Sequence, residues 1–120
     1  MSTKVLVVGA SEKPERYSNK AINLLLSKNH SVVALGRRAG KVQDVVIDTG
    51  FPDYEALDTV TLYVGPRHQP EYYDYIKNLN PRRVIFNPGT ENQEFVELLE
   101  KAGVETEEAC TLVLLGIGSF

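Results

Sequence analysis

The sequence predicts an α/β protein: a three-layer sandwich built on a mostly parallel sheet of about five strands. Strand patterns and amphipathic helical patterns alternate repeatedly along the chain. That order places a helix on each crossover, and right-handed crossovers put helices on both faces of the sheet. The first apolar run, Lys4–Val8 (KVLVV), shows no polar alternation. Such a run is typical of a parallel strand buried on both faces.

The other strands are recognised by β-branched and aromatic residues bounded by turn residues. Gly36 ends the second strand, and Gly65-Pro66 ends the run TVTLYV. After Lys4–Val8, the predicted strands are Val32–Leu35, Val45–Ile47, Thr59–Val64, Arg83–Phe86 and Val104–Thr106. Of these, Val45–Ile47 is brief and has the weakest pattern.

Three helices are predicted between these strands. Ser18 is a suitable N-cap for the first helix, and Pro70 suits the first turn of the second. Thr90 with Gln93 has the spacing of a capping box, and Gly103 is a helix stop. The inward residues are predicted to be Ile22, Leu25 and Leu26 in the first helix, Tyr72, Tyr75, Ile76 and Leu79 in the second, and Phe95, Leu98, Leu99 and Ala102 in the third.

Length, composition and charge narrow the class of protein. One domain over residues 1–120 is expected, with 42% hydrophobic and 24% charged residues. A formal net charge of −3 argues against nucleic acid recognised through bulk charge. The apolar runs are shorter than the roughly 20 residues that span a membrane. A single cysteine, Cys110, cannot form an internal disulfide, so a cytoplasmic location is expected.

Four segments follow predicted strands: Gly9–Arg16, Gly36–Arg38, Gly65–His68 and Asn87–Thr90. In open parallel sheets, ligands bind outside the carboxyl ends of the strands where the strand order reverses. Each segment contains a glycine, which allows close approach of a ligand to the backbone. Strand-to-helix turns use glycine for other reasons as well. The four segments together predict a binding site at this edge of the sheet.

The first of these loops resembles a dinucleotide-binding turn only in part. The dinucleotide fingerprint requires three glycines, and here its positions hold Gly9, Ser11 and Pro14. This is a poor match to an NAD motif. It remains a reasonable phosphate loop, because Ser11 offers a hydroxyl, a helix N-terminus follows, and Arg16 supplies positive charge.

The end of the second strand carries Gly36-Arg37-Arg38. NAD-binding folds place a carboxylate there for the ribose hydroxyls. Two guanidinium groups instead suit a phosphate on the ribose, which indicates NADP or coenzyme A. These residues are compatible with either NADP or coenzyme A as the ligand.

The stretch VVGASEKPERYSNKA, residues 7–21, resembles the V-x-G-A-S-x-x-P-x-R-x-S signature of small bacterial CoA-binding domain proteins. These are similar to the CoA-binding domain in the α subunit of succinyl-CoA synthetase. LYVGPRHQPEYYDYI and VIFNPGTENQEFVELLEKAGVE follow in the family's order, so the resemblance covers essentially the whole chain. It implies a Rossmann-like fold whose crevice holds the adenosine diphosphate half of CoA.

The resemblance also implies binding residues. The residues expected at the pyrophosphate turn are Gly9, Ala10, Ser11, Pro14, Arg16 and Ser18, and those of the neighbouring walls are Gly65, Pro66, Asn87, Pro88 and Gly89. Two segments depart from the family pattern. Ala34–Arg38 replaces an apolar-Asn-Pro turn, and Glu108-Ala109-Cys110 replaces an acidic-Arg-Cys segment.

No catalytic or metal site is predicted. His68 follows a strand end, but no carboxylate or serine is placed by sequence to work with it. Cys110 is interpreted as a buried, inert thiol, or as one that forms a mixed disulfide with CoA. Tyr73 is predicted to be more exposed than Tyr72 and Tyr75. The apolar tail TLVLLGIGSF is expected to close the sheet, pack over it or form a dimer surface.

Three functions follow from these observations. The leading hypothesis is a non-catalytic CoA-binding or acyl-CoA-binding module. The alternatives are an NADP(H)-binding oxidoreductase or redox sensor, and a degenerate Rossmann-like domain that binds protein partners.

Overall fold

The computed structural model describes residues 3–120, and their strands form one sheet of seven strands. The strands are β1 (Lys4–Val8), β2 (Ser31–Leu35), β3 (Gly40–Val42), β4 (Val45–Asp48), β5 (Thr59–Leu62), β6 (Arg83–Phe86) and β7 (Glu105–Glu108). Their order in the sheet is β3-β4-β2-β1-β5-β6-β7. All neighbouring pairs are parallel except β3 and β4, which form an antiparallel hairpin.

Four α-helices and two short 3-10 turns connect the strands. The helices are α1 (Tyr17–Ser27), α2 (Tyr73–Leu79), α3 (Gln93–Lys101) and α4 (Thr111–Gly116). The 3-10 turns, Pro66–His68 and Pro70–Tyr72, occupy the loop between β5 and α2. No helix within the described residues is long and apolar enough to cross a membrane.

Successive side chains along each strand lie on opposite faces of the sheet. Val5 and Val7 of β1 pack with Ile22 of α1 and Leu115 of α4 on one face. On the other face, the next residues along β1 pack with α2 and α3 through a cluster that includes Leu6, Val8, Ile76, Phe95 and Leu99. This arrangement confirms the three-layer sandwich with a mostly parallel sheet.

The sheet has seven strands, so the prediction of about five was too low. β3 has three residues, and its pattern is too short to stand out from a loop. The sequence of β7 also lacks a clear strand pattern, because three of its four residues are glutamate. It begins one residue later than predicted and runs to Glu108. The apolar tail forms α4, which packs over the sheet beside α1.

Both predicted helix caps were wrong. Ser18 lies inside α1, whose N-cap is Arg16 with no side-chain cap hydrogen bond. The N-cap of α3 is Asn92, whose Oδ1 accepts from the Phe95 N–H at 3.3 Å. Thr90 lies two residues before this N-cap, and its hydroxyl donates to the Asn87 carbonyl at 2.8 Å. Phe95 and Leu99 are buried as predicted, whereas Leu98 and Ala102, which were also predicted to face inward, are exposed.

The order of the strands in the sheet reverses direction at β1. β2 pairs with one edge of β1 and β5 with the other, both in parallel. α1 therefore covers one face, and the connection after β5 covers the other. The loops after β2 and β5 therefore lie on opposite sides of β1 at the carboxyl edge, where such a reversal opens a crevice.

Candidate functional site

A cleft of about 620 Å³ lies at the carboxyl edge of the sheet. It is lined by residues that follow three strands: Gly36-Arg37 after β2, Thr49–Phe51 after β4, and Arg67-His68 and Pro70–Tyr72 after β5. Its size falls within the usual range for small-molecule sites. Because β1 lies between β2 and β5, the cleft sits at the reversal of strand order.

The cleft carries two guanidinium groups. Arg37 and Arg67 are exposed, and within residues 3–120 neither forms an ion pair. One carboxylate, that of Glu71, also lines the cleft. Burial raises the pKa of the Tyr72 phenol, and Glu71 adds to this, while Arg37 acts in the opposite direction. The positive charge of Arg37 therefore reaches the aromatic wall of the cleft.

Much of the loop after β1 is held by contacts inside the protein. The N–H groups of Gly9 and Ala10 both donate to the Leu35 carbonyl, at 2.9 and 3.0 Å. The Ser11 hydroxyl accepts from the Lys13 N–H at 3.1 Å. Asn19 donates to the Ser11 carbonyl at 3.0 Å, which ties the loop to α1. The amides of Gly9 and Ala10 are thus already used.

The start of α1 has free backbone N–H groups, which the beginning of the loop after β1 lacks. No side chain caps this helix, so its first N–H groups remain available to an anion. Arg16 stands at the N-cap, is exposed, and forms no ion pair within the described residues. Pro14 is also exposed, whereas Ser18 is buried inside the helix.

The glycines after the strands serve different purposes. Gly9 has a φ of +94°, and a Cβ there would lie 3.0 Å from the Tyr63 carbonyl carbon. A Cβ at Gly36 would lie 2.6 Å from the Ala10 carbonyl oxygen. Both glycines are required by the protein's own backbone. Gly65 has an ordinary φ of −62°, and no described heavy atom lies within 4 Å of a Cβ built on it.

The loop after β6 is closed by the protein itself. Asn87 is buried, and its amide donates to the Thr61 hydroxyl at 2.6 Å and to the Leu62 carbonyl at 2.8 Å. Its Oδ1 accepts from the Thr111 N–H at the start of α4, at 2.9 Å. Both amide hydrogens of Asn87 are therefore used internally. Pro88 and Gly89 remain exposed beyond it.

Gln69 joins two of the loops, which the sequence did not reveal. It is fully buried, and its amide donates to the Val64 carbonyl at 2.9 Å and the Thr90 carbonyl at 2.7 Å. Asn92 donates to the Gln69 Oε1 and to the Tyr73 hydroxyl. This network fixes the loop after β5 against the loop after β6.

The structure brings together only part of the predicted site. Gly36 and Arg37 line the cleft, whereas Arg38 is exposed outside its lining. His68 lines the cleft, as the sequence suggested. None of the residues predicted in the loop after β1 and at the start of α1 lines the cleft, although the Ala10 carbonyl lies next to Gly36. Gly65 and Pro66 immediately precede the lining residue Arg67.

Several lining residues were missed, above all Phe51 and Tyr72. Tyr72 had been assigned to the core, and it is indeed buried while also forming a wall of the cleft. Phe51 lies after β4, and the sequence pattern of this strand is too brief to predict that the loop after it belongs to the site. An aromatic residue in the turn Gly50-Phe51-Pro52 was the available signal. Tyr73 is half-buried, because it stacks on Phe95.

The fold and the cleft define a nucleotide-binding type of α/β sandwich, with charge suited to a phosphorylated ligand. The sequence matches the CoA binding domain family over residues 3–116, and the chain belongs to that family. This confirms the resemblance drawn from the opening loop. None of the curated proteins searched matches the chain. The family gives no support to NADP as the ligand.

Solved structures share the fold. The crystal structure of an uncharacterized protein is 43% identical, with a TM-score of 0.97, over 100% of this chain and 99% of that one. A conserved hypothetical protein from Pyrococcus furiosus is 26% identical, with a TM-score of 0.77, over 88% of this chain and 91% of that one.

A larger enzyme contains a similar fold. Acetyl-coenzyme A synthetase 1 from Ca. Korarchaeum cryptofilum, solved in complex with phosphate and ADP, has a TM-score of 0.75. It is 17% identical over 89% of this chain and 25% of its own. At this identity the likeness shows the fold alone.

Proposed function

We propose that this protein is a CoA-binding or acyl-CoA-binding module without a reaction of its own. The ADP moiety of the ligand lies at the carboxyl ends of the parallel strands. The observation that carries this proposal is the cleft at the strand reversal, which Arg37 and Arg67 line without ion-pair partners in the described chain. Family membership supports CoA as the ligand.

The pyrophosphate is bound at the start of α1. The uncapped N–H groups of this helix and the Arg16 guanidinium supply donors and positive charge at one place. The Ser11 hydroxyl accepts from Lys13 and keeps its own hydrogen for a phosphate oxygen. Gly9, Ala10 and Gly36 contribute by holding the loop in position.

The absence of a reaction is part of the proposal. His68 and Glu71 line the cleft, but no hydrogen bond joins them in the described structure, and no cysteine or serine is among the lining residues. Cys110 lies instead at the N-cap of α4, beside the closed loop after β6. A nucleophile with an adjacent base is what acyl transfer from CoA would require. We place this module in the cytoplasm, as its single cysteine suggests.

Thermal unfolding with CoA, acetyl-CoA, 3′-dephospho-CoA, NADP and NAD tests the proposal. A ligand at 100 times its dissociation constant adds about 2.7 kcal/mol to the free energy of unfolding. We expect this shift with CoA or acetyl-CoA, and no thiol release above background from acetyl-CoA. A response confined to NADP, or silence from every nucleotide at millimolar concentration, would contradict CoA binding.

Arg16→Gln tests the pyrophosphate contact. Loss of a charge-assisted hydrogen bond is expected to weaken CoA binding about tenfold. Lys28→Gln is the matched control, because Lys28 is exposed at the C-cap of the same helix. It makes the same change in charge away from the cleft. Equal affinities of the two variants would remove Arg16 from the site.

A further inference from the structure

The loop after β1 makes two close contacts with the chain that follows β2. The Ala10 carbonyl lies against Gly36, where a Cβ would come within 2.6 Å of its oxygen. Further along the loop, the Glu12 side chain lies across Gly40, and a Cβ built at Gly40 would lie 2.6 Å from the Glu12 Cγ. The segment between these two glycines contains Arg37. Both ends of this segment are therefore held by the loop after β1.

The Glu12 carboxylate also forms a hydrogen bond with the edge of the sheet. β3 stands first in the strand order and, within residues 3–120, pairs with β4 alone. The Lys41 N–H of β3 donates to Glu12 Oε2 at 2.9 Å, a bond between residues 29 positions apart. This bond ties the loop after β1 to the hairpin of β3 and β4.

Glu12 lies between two further contacts that lead to α1. The Ser11 carbonyl before it accepts from the Asn19 side chain at 3.0 Å. The Lys13 carbonyl after it accepts from the Arg16 N–H at 3.1 Å. A fixed Glu12 therefore limits where the start of α1 can lie relative to β3. Donors that are fixed before a ligand arrives bind it more tightly, because the cost of ordering them is not added to binding.

The charge of Glu12 shows that its position matters more than its sign. A carboxylate near the start of α1 disfavours an anionic ligand. Glu12 forms no ion pair with any residue in the described part of the chain. What it does there is to accept the Lys41 N–H. Its presence in a loop proposed to bind phosphate is explained by this hydrogen bond.

We propose that Glu12 is a positioning residue for ligand binding. Its bond to the Lys41 N–H fixes the start of α1 and the segment that carries Arg37 relative to each other before the ligand binds, and Glu12 itself does not touch the ligand. This inference rests on the proposed function and gives the hairpin of β3 and β4 a supporting role. Position 12 is one of the variable positions of the signature V-x-G-A-S-x-x-P-x-R-x-S, so the contact is a feature of this chain.

Calorimetric titration of the full chain with CoA tests this role. Glu12→Ala removes the acceptor and should weaken CoA binding about tenfold, with a less favourable entropy of binding. Glu12→Gln removes the charge but keeps an acceptor oxygen, so it should bind CoA at least as tightly as the unmodified protein. Glu15→Ala is the matched control. It removes the same group from an exposed position in the same loop and should not weaken binding.

Gly40→Ala tests the same contact from the other side. The added methyl group displaces the Glu12 side chain, so CoA binding should again weaken about tenfold. In the Glu12→Ala background the same change meets no such side chain, and the affinity should stay within about twofold of Glu12→Ala alone. Hydrogen exchange of the Lys41 amide in the unliganded protein should be faster in Glu12→Ala and Gly40→Ala, and unchanged in Glu12→Gln.

The outcomes separate this inference from the proposed function. If the unmodified protein binds CoA and Glu12→Ala binds it as tightly as Glu12→Gln does, the positioning role is wrong and the function stands. Additive losses in the double variant would have the same meaning, since they would show that the two substitutions act on different contacts. Failure of the unmodified protein to bind CoA at millimolar concentration would overturn the function and the inference together. Circular dichroism melts establish that each variant is folded.

Discussion

The carboxyl edge of the sheet has two halves that are built differently. On the side of β6, the Asn87 amide donates to the Thr61 hydroxyl and accepts from the Thr111 N–H, so the protein's own atoms occupy this part of the rim. On the side of β2, β4 and β5, the rim opens into a cleft lined by Arg37 and Arg67. Both halves follow strands of one mostly parallel sheet, and the cleft with the Arg37 and Arg67 guanidinium groups lies at the second half.

The difference between the two halves comes from α4, the last helix of the described chain. α4 begins beside the loop after β6, where the Thr111 N–H donates to the Asn87 Oδ1. The Thr61 and Thr111 hydroxyls lie 2.7 Å apart beneath it. Within residues 3–120, the loop after β5 instead borders the cleft. A polar residue that follows a strand therefore serves stability where a later element covers it, and remains available for binding where none does.

Asn87→Ala should have the largest effect, because it breaks the closed half. It removes three hydrogen bonds and leaves buried partners unsatisfied, so we expect the free energy of unfolding to fall by about 3 kcal/mol. Urea denaturation measures the loss. Asn78→Ala is the control, since Asn78 is exposed on α2 and should change stability little. A loss below about 1 kcal/mol would show that the closed half is not held as described.

Gly36→Ala should have the next largest effect. A Cβ at this position would lie 2.6 Å from the Ala10 carbonyl oxygen and 3.0 Å from Ile47 Cγ2, so the backbone must shift. We expect a loss of about 2 kcal/mol in urea denaturation. Gly116→Ala, where a Cβ meets nothing within 4 Å, should not destabilise the protein. Equal stability of the two variants would mean that the first two loops are not in close contact.

Tyr63→Phe tests the contribution of a single hydroxyl group in the closed half to stability. The Tyr63 hydroxyl is buried and meets the geometry of a hydrogen bond with no partner in the described chain, although the Thr61 and Thr111 hydroxyls lie close enough to lower its pKa against the larger effect of burial. Removing it should raise the free energy of unfolding by about 1 kcal/mol at neutral pH. Tyr17→Phe, at an exposed site, should leave stability unchanged. A destabilised Tyr63→Phe would reveal a partner for this hydroxyl.

The same variant should alter the response to alkaline pH. Burial raises the pKa of Tyr63 from 10.0 to about 12. The folded state therefore holds this proton more tightly, and the stability it contributes is lost as pH rises from 10 towards 12. The phenylalanine variant lacks this loss, so its advantage over the unmodified protein should widen across that range. An advantage that stays constant would show that the phenol is accessible to water.

The fold was predictable because its signals are local. β1 and β6 were placed at their observed bounds, since continuous apolar runs ending in turn residues leave few alternatives. β3 and β7 were missed or misplaced because a short hairpin and a glutamate-rich strand depend on pairing with neighbours rather than on their own pattern. The two caps were wrong because α1 begins earlier than Ser18 indicates, after Arg16, and α3 begins later than Thr90 indicates, after Asn92.

The site was predictable at the level of the sheet edge and of Arg37. Its aromatic wall was not, because Phe51 and Tyr72 come together only when the loops after β4 and β5 meet. The sequence also gave no means of separating Asn87 from Gly65, because both belong to turns after parallel strands. That distinction depends on which loop α4 covers, and it is decided in three dimensions.

Gly65→Ala offers the smallest effect on stability and the sharpest test of the open half. Gly65 has φ −62° and ψ 155°, which alanine adopts before a proline, and a Cβ would meet no described atom within 4 Å. Alanine restricts the unfolded chain, so the free energy of unfolding should rise by about 0.5 kcal/mol.

If the ligand lies where we propose, its affinity should nevertheless fall in Gly65→Ala, because the added methyl group would occupy space beside Arg67. Calorimetric titration and urea denaturation on the same preparation measure both quantities. Greater stability with weaker binding cannot come from damage to the protein, so that combination would identify Gly65 as a point of close ligand approach. Greater stability with unchanged affinity would make Gly65 an ordinary turn residue and move the ligand away from the loop after β5.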